Sequence, residues 1–247
     1  MMATVAHIWR HPIKSHGHES IAAVTLSPGQ TMPWDRHWAV AHEAAKTSGG
    51  EWAHCVNFSR GAKAPGQMAI SASLDEATAR VTLTHPDRDP LEFAPDDNPP
   101  EFFDWVRLLM PDDRAASARI VKGPRGMTDS KLASLSILNL ATHRAVETQL
   151  GRSLEKRRWR GNIWLDGPDA WEEFDWIGRK IRIGTAELDV RERIKRCVAT
   201  TANPNTGKRD ADTLGALQSG WGHQDLGIHA VVTKGGDLRL GDTAEVL

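Results

Sequence analysis

The stretch Lys180-Ile181-Arg182-Ile183-Gly184-Thr185-Ala186-Glu187-Leu188-Asp189-Val190-Arg191-Glu192-Arg193-Ile194-Lys195-Arg196-Cys197-Val198-Ala199-Thr200 decides how the chain is read. Its apolar residues alternate with charged ones, the period of a strand with one buried face. Strands are expected at Lys180–Ile183, Glu187–Val190 and Ile194–Thr200. Extended backbone would put Arg191, Arg193, Lys195 and Cys197 on one face. Cations next to a thiol favour the thiolate form, which is both nucleophile and soft-metal ligand. An inert cysteine on a solvated basic edge has the same pattern.

Outward from there the pattern repeats. Thr4–Arg10, Ile21–Leu26, Trp38–His42, Met68–Leu74 and Ala79–Thr84 read as strands, as do Asn162–Leu165, Gly227–Thr233, Asp237–Leu240 and Thr243–Leu247. Turn formers separate them, among them Ser27-Pro28-Gly29, His85-Pro86-Asp87 and Gly241-Asp242. Three segments read as helix: Pro100–Leu109, Ser136–Leu150 stopped by Gly151, and the short Asp212–Gln218. Many short strands, few helices and no βαβ rhythm imply a mainly β, α+β chain. The expected architecture is an antiparallel β-barrel with a few peripheral helices. A joint between an N-terminal part, 1–115, and a C-terminal part, 116–247, is expected within residues 85–115.

Thirty-one Lys and Arg balance 32 Asp and Glu, so no global field argues for nucleic acid or a membrane surface as partner. No run approaches the roughly 20 apolar residues of a membrane span. Met1–Arg10 lacks the apolar stretch of a secretory signal, so a cytoplasmic location is expected. Two cysteines exclude a disulfide framework and an all-cysteine zinc or iron–sulfur site. The absence of Tyr excludes a tyrosine nucleophile or radical.

Several other stretches suit binding. Arg157-Arg158-Trp159-Arg160-Gly161-Asn162-Ile163 combines guanidinium forks, matched to phosphate or carboxylate, with a glycine that lets backbone approach an anion. A plain basic loop has the same residues. His11-Pro12-Ile13-Lys14-Ser15 presents an ammonium and a hydroxyl past the first strand, and Trp34-Asp35-Arg36-His37-Trp38 opens a strand with another arginine. Both also suit solvated turns. Cys55, with His54 and Asn57 near it, reads as an ordinary cysteine, and His16 with His18 is too sparse for a metal site. Asn203–Asp210 is turn-dense but lacks the spacing of a phosphate loop.

Taken in order, six groups of residues resemble the MOSC family, named for the C-terminal domain of molybdenum-cofactor sulfurases. They are His11-Pro12-Ile13-Lys14-Ser15, Asp35-Arg36-His37-Trp38, Asp129 with Ser134-Leu135-Ser136, Trp159-Arg160-Gly161-Asn162-Ile163, Asp175-Trp176-Ile177-Gly178, and Arg196-Cys197 followed by Thr200, Pro204 and Thr206-Gly207. Each is weak alone; together they span nearly the whole chain in family order. The resemblance implies a MOSC β-barrel domain over 116–247 and the family's N-terminal β-barrel part over 1–115. It implies molybdenum cofactor, a pterin dithiolene with a terminal phosphate, and neither an iron–sulfur cluster nor pyridoxal phosphate in this chain. Cys197 is the implied metal ligand and catalytic residue, as in the amidoxime-reducing members. Lys14, Ser15, Arg36, Ser134, Ser136, Arg160, Asn162 and Arg196 are the implied cofactor-binding residues.

The chemistry implied is reduction of N-hydroxylated or related N–O small molecules by a monomer. The family often has Tyr at His11 and Phe at Trp159, so both positions keep a ring. Some bacterial relatives carry a C-terminal ferredoxin domain; here the chain stops at Leu247, and a separate electron-donor protein is expected. The alternative is a sulfur carrier or cofactor-handling protein with a persulfide on Cys197. A binding module without chemistry is the third reading.

Overall fold

The computed structural model describes residues 3–247. Its first half holds β1 (Ala3–Arg10), β2 (Glu19–Ile21), β3 (Ala23–Leu26), β4 (Trp38–His42), β5 (Ser71–Asp75), β6 (Arg80–His85), β7 (Arg88–Phe93), α1 (Pro100–Arg107) and β8 (Ser117–Lys122). The second holds β9 (Leu135–Asn139), α2 (Leu140–Leu150), β10 (Ile163–Asp166), β11 (Lys180–Ile183), β12 (Ala186–Lys195), α3 (Thr213–Trp221), β13 (Asp225–Lys234), β14 (Gly236–Arg239) and β15 (Thr243–Val246). Among the described residues no helix is long and apolar enough to cross a membrane.

A closed β-barrel runs in the order β10-β9-β13-β12-β11-β15-β1, and β1 pairs back onto β10. The alternation read from Lys180 onward is its cause: Ile181, Ile183, Leu188 and Val190 point into the core, and Lys180 and Arg182 face solvent. Val5, Ile8, Ile163, Leu165 and Ile228 fill the same core. Pairing is antiparallel except between β9 and β10, which run parallel because α2 crosses over between them.

A second core lies beside the barrel. There α1 packs Phe102 and Val106 against Val40 of β4 and Val81 and Leu83 of β6. Ile13 belongs to this core although it follows a barrel strand. Lys14 N donates to Trp38 O at 2.8 Å, and Trp38 N donates to Pro12 O at 3.1 Å. The segment after β1 is thereby clamped between the two bodies.

Several expected elements shift. Ser136–Leu150 is not one helix, because Leu135–Asn139 is strand, buried along its whole length between β10 and β13. An apolar run buried on both faces has no strand alternation, so it matches a helix stripe as well. The expected strand Ile21–Leu26 breaks at Ala22, β2 joining β1 and β3 joining β14. Met68–Leu74 begins as a 3₁₀ turn, Pro65–Ala69. Two strands had no distinct pattern. β7 carries Pro90 at a sheet edge, where proline is tolerated, and β8 pairs with β4. Finally, β12 ends at Lys195, and Val198–Thr201 is a 3₁₀ turn. Its register against β13 shifts between Val190 and Glu192 and again between Arg193 and Lys195. Arg191, Arg193, Lys195 and Cys197 therefore do not form one row, since each irregularity re-aims the side chains after it.

Candidate functional site

A cavity of about 660 Å³ lies where the barrel meets the loops of the first half. Lys14, Ser15 and Arg36 line it from that half. Ser134, Ser136, Arg160, Asn162, Arg196 and Cys197 line it from the barrel side.

The local backbone explains how three of these reach inward. Ser15, Arg36 and Arg160 have φ of 64°, 52° and 50°, the left-handed region that non-glycine residues avoid. Such conformations persist only where surrounding structure holds them, and they concentrate at functional sites. Arg36 N donates to His11 O at 2.6 Å, and Arg36 O accepts from Met127 N at 2.8 Å. Arg160 is the left-handed cap of the 3₁₀ turn Lys156–Trp159.

The cations differ in how they are matched. Lys14 is buried and donates to Met127 O at 2.7 Å and to Asp129 Oδ1 at 2.5 Å. Burial lowers its ammonium, and the Asp129 charge opposes that. Arg36 pairs with buried Asp35 and donates to Arg160 O at 2.9 Å. Arg158 pairs with Asp210 at 3.1 Å and donates to Thr200 O at 3.0 Å, so it serves the fold. Arg160 meets only a carbonyl, Gly17 O at 3.2 Å. Arg196 donates to Leu226 O at 2.8 Å and to Trp159 O at 2.9 Å, with its guanidinium over the Trp159 ring. Among the described residues neither Arg160 nor Arg196 has a carboxylate within ion-pair distance. Burial, with the Arg36 charge adding, lowers each to about 9, so both stay cationic at neutral pH. Two desolvated guanidinium groups without a paired carboxylate make a strong anion site.

Other wall residues are structural in their contacts. Asn162 is buried; its Oδ1 accepts from Ser136 N at 3.1 Å and Ser136 Oγ at 2.8 Å, and its Nδ2 donates to Trp9 O at 3.2 Å. Its side chain ties three barrel strands together. Gly161 has a packing role of its own, because a Cβ there would stand 2.3 Å from Leu138 Cδ1. Trp159 is buried and donates through Nε1 to His143 Nδ1 at 3.0 Å. Cys197 is exposed, and its carbonyl accepts from Thr200 N at 3.1 Å.

Several wall groups carried no sequence signal, among them Arg60, Lys63, His229 and Cys55. His229 stands 3.2 Å from Ser134 Oγ and is lowered to about 4 by burial and by Arg196. Cys55 also lines the cavity, with Arg60 Nη1 donating to its Sγ at 3.0 Å. It is therefore not the isolated cysteine its neighbours in sequence suggest. His16 and His18 are buried apart from any metal site. His16 Nδ1 contacts Lys14 O at 2.8 Å, and His18 Nε2 contacts Arg157 Nη1 at 3.1 Å. Among the described residues no group of three or more His, Cys, Asp or Glu could hold a metal ion unaided.

Residues 126–245 match the MOSC domain, and residues 2–108 match the MOSC N-terminal beta barrel domain. Mitochondrial amidoxime reducing component 2 of Homo sapiens is 30% identical over 128 residues, which are 47% of this chain and 34% of that protein. The protein of the same name from Macaca fascicularis matches to the same extent. The aligned stretch thus spans about a third of the length of these curated relatives. The YuaD protein from Bacillus subtilis shares the fold, with a TM-score of 0.51 at 13% identity, over 100% of this chain and 96% of that one. With both family domains matched in order from residue 2 to residue 245, the chain belongs to the MOSC family, its MOSC domain preceded by the family's N-terminal β-barrel domain.

Proposed function

We propose that the chain binds molybdenum cofactor in this cavity and reduces N-hydroxylated or related N–O small molecules with electrons from a separate donor protein. The observation that carries the reading is the pairing of two unmatched guanidinium groups, Arg160 and Arg196, with the exposed Cys197 thiol on one cavity wall. The residues fit the group. A terminal phosphate suits planar guanidinium forks in a partly dry site. A cysteine sulfur is a soft ligand that suits molybdenum. With no protein cluster able to hold a metal unaided among the described residues, Cys197 would share it with ligands the cofactor brings. When bound, the cofactor supplies two-electron oxygen-atom chemistry.

In this reading Arg160 and Arg196 hold the phosphate, and Arg36 positions Arg160 through its carbonyl. Lys14 and Ser15 bind from the first half, and Asn162 and Ser136 keep the barrel wall in register. The division at residue 115 belongs to the same proposal, since each part contributes one side of the cavity. Overall, an N–O bond breaks, two electrons and two protons enter, and water leaves. The name of the amidoxime reducing relatives supports this substrate class.

The test is metal and pterin analysis of freshly purified protein, with benzamidoxime reduction by reduced methyl viologen. Near-stoichiometric molybdenum and pterin with turnover are expected. Protein that takes up neither metal nor pterin overturns the reading. The exposure of Cys197 favours one second reading, a persulfide carrier, and persulfide detected by mass spectrometry on metal-free protein would replace the first.

A further inference from the structure

Nine cationic side chains and two carboxylates line the cavity of a chain whose formal net charge is −1. Lys14 occupies one of those carboxylates, Asp129. The phosphate proposed above accounts for the deep guanidinium groups. Arg60, Lys63, Arg193 and Lys195 remain, and Arg193 lies over the Phe174 ring. Arg60 is half-buried and belongs to the loop between β4 and β5. Among the described residues it has no carboxylate partner, and its guanidinium donates to the Cys55 sulfur. Five N–H donors on a fixed fork leave most of its capacity open.

The surroundings hold Arg60 in place. Its carbonyl accepts from Lys63 N and Ala64 N, each at 2.9 Å. The next residue is Gly61, where a Cβ would stand 2.4 Å from Met68 Sδ. Arg209 Nη2 donates to Ala62 O at 2.9 Å and ties this loop to the segment after Cys197. Lys63, exposed on the same wall, adds a second unpaired charge. The loop abuts the turn after Cys197, since a Cβ at Gly61 would stand 3.9 Å from Ala199 Cβ. A preorganised cation of this kind recognises an anion at little ordering cost.

We propose that Arg60, with Lys63, forms an anion subsite on the substrate side of the cavity, and that the preferred N–O substrates carry a carboxylate remote from the nitrogen. This rests on the reductase reading. A carboxylate presents two oxygens to the guanidinium fork, a charge-assisted pairing that a neutral analogue lacks.

The full chain loaded with cofactor is assayed with benzamidoxime and with its 4-carboxylate analogue. Reduced methyl viologen is the donor, so no partner protein takes part. The wild-type chain should favour the carboxylate about tenfold in kcat/KM, the size of one charge-assisted contact. Arg60→Met should bring the ratio near one, chiefly through the KM of the carboxylate, and Arg60→Lys should retain part of the preference. Fluorine NMR of 4-fluorobenzoate on the loaded protein should show binding weakened about tenfold in Arg60→Met. A wild-type ratio near one, or 4-fluorobenzoate binding unchanged in Arg60→Met, overturns the subsite. Loaded protein that reduces neither compound overturns the reductase reading instead, and the fluorine measurement then still decides whether the subsite exists.

Discussion

Cys197 sits just beyond the end of β12, where the 3₁₀ turn Val198–Thr201 holds its carbonyl through Thr200 N and Thr200 Oγ1. Its side chain makes no packing contribution comparable to the buried core, so removal should spare the fold. Cys197→Ala should abolish reduction of N–O substrates while thermal unfolding followed by circular dichroism stays nearly unchanged. Cys197→Ser should not rescue, because a hydroxyl is a harder ligand. Retained turnover in both variants with an artificial donor would exclude the metal–thiolate mechanism. Arg160 carries a different prediction. Arg160→Lys keeps the charge but loses the fork, so cofactor retention should fall roughly tenfold, about 1.5 kcal/mol, in a dialysis assay with molybdenum analysis. Unchanged retention would make Arg160 a bystander. At this scale the ordered motifs named residues that line one cavity, but the contacts of Asn162 and Cys55 had no sequence signal. Both depend on partners remote along the chain.

The junction of β9 and α2 shows what an element inherits from its neighbours. Asn139 ends the strand, and its Oδ1 accepts from Ala141 N at 2.9 Å as the helix cap. Its Nδ2 donates to Asp169 O at 2.7 Å and to Glu173 Oε2 at 3.0 Å. Thr142 Oγ1 also contacts that buried carboxyl, at 2.9 Å from each oxygen. Asn139→Ala would remove a cap and leave Glu173 short of a donor in a dry site. A loss of roughly 2–4 kcal/mol is expected in urea unfolding. A loss below about 0.5 kcal/mol, the range of an ordinary surface change, would mean that water replaces both contacts. Gly151 as the stop of α2 was legible, and its φ is 65°. The strand before Asn139 was not, because full burial erases the alternation that marks strands.

Across the whole molecule, buried histidines set the response to acid. Burial lowers His16 to about 4, burial with the Arg160 charge lowers His18 to about 4, and burial with the Arg196 charge does the same for His229. The unfolded chain binds protons at these sites near 6.5, and the native chain does so only near 4. Stability contributed by the three is therefore full above about 6.5 and is lost as pH falls toward 4. Against burial, the Lys14 charge lowers Asp129 to about 2, so its contribution is lost only at still lower pH. Glu173, raised by burial, acts in the opposite sense, but it is one group against these three. The urea midpoint should be clearly lower at pH 5 than at pH 7.5. Equal midpoints would show that these imidazoles titrate normally in the native chain.

The linear sequence by itself determined the strand-rich barrel, because inward Ile181, Ile183, Leu188 and Val190 and their outward charged neighbours are set by a period-two pattern that needs no distant partner. It also determined which cations were available. Only the tertiary structure decided which of them stay unmatched. Lys14 meets Asp129 and Arg158 meets Asp210, whereas Arg60, Arg160 and Arg196 meet no carboxylate among the described residues. Ion pairing depends on a few ångströms between groups far apart along the chain, and chain closure into the barrel sets those distances where no local pattern can.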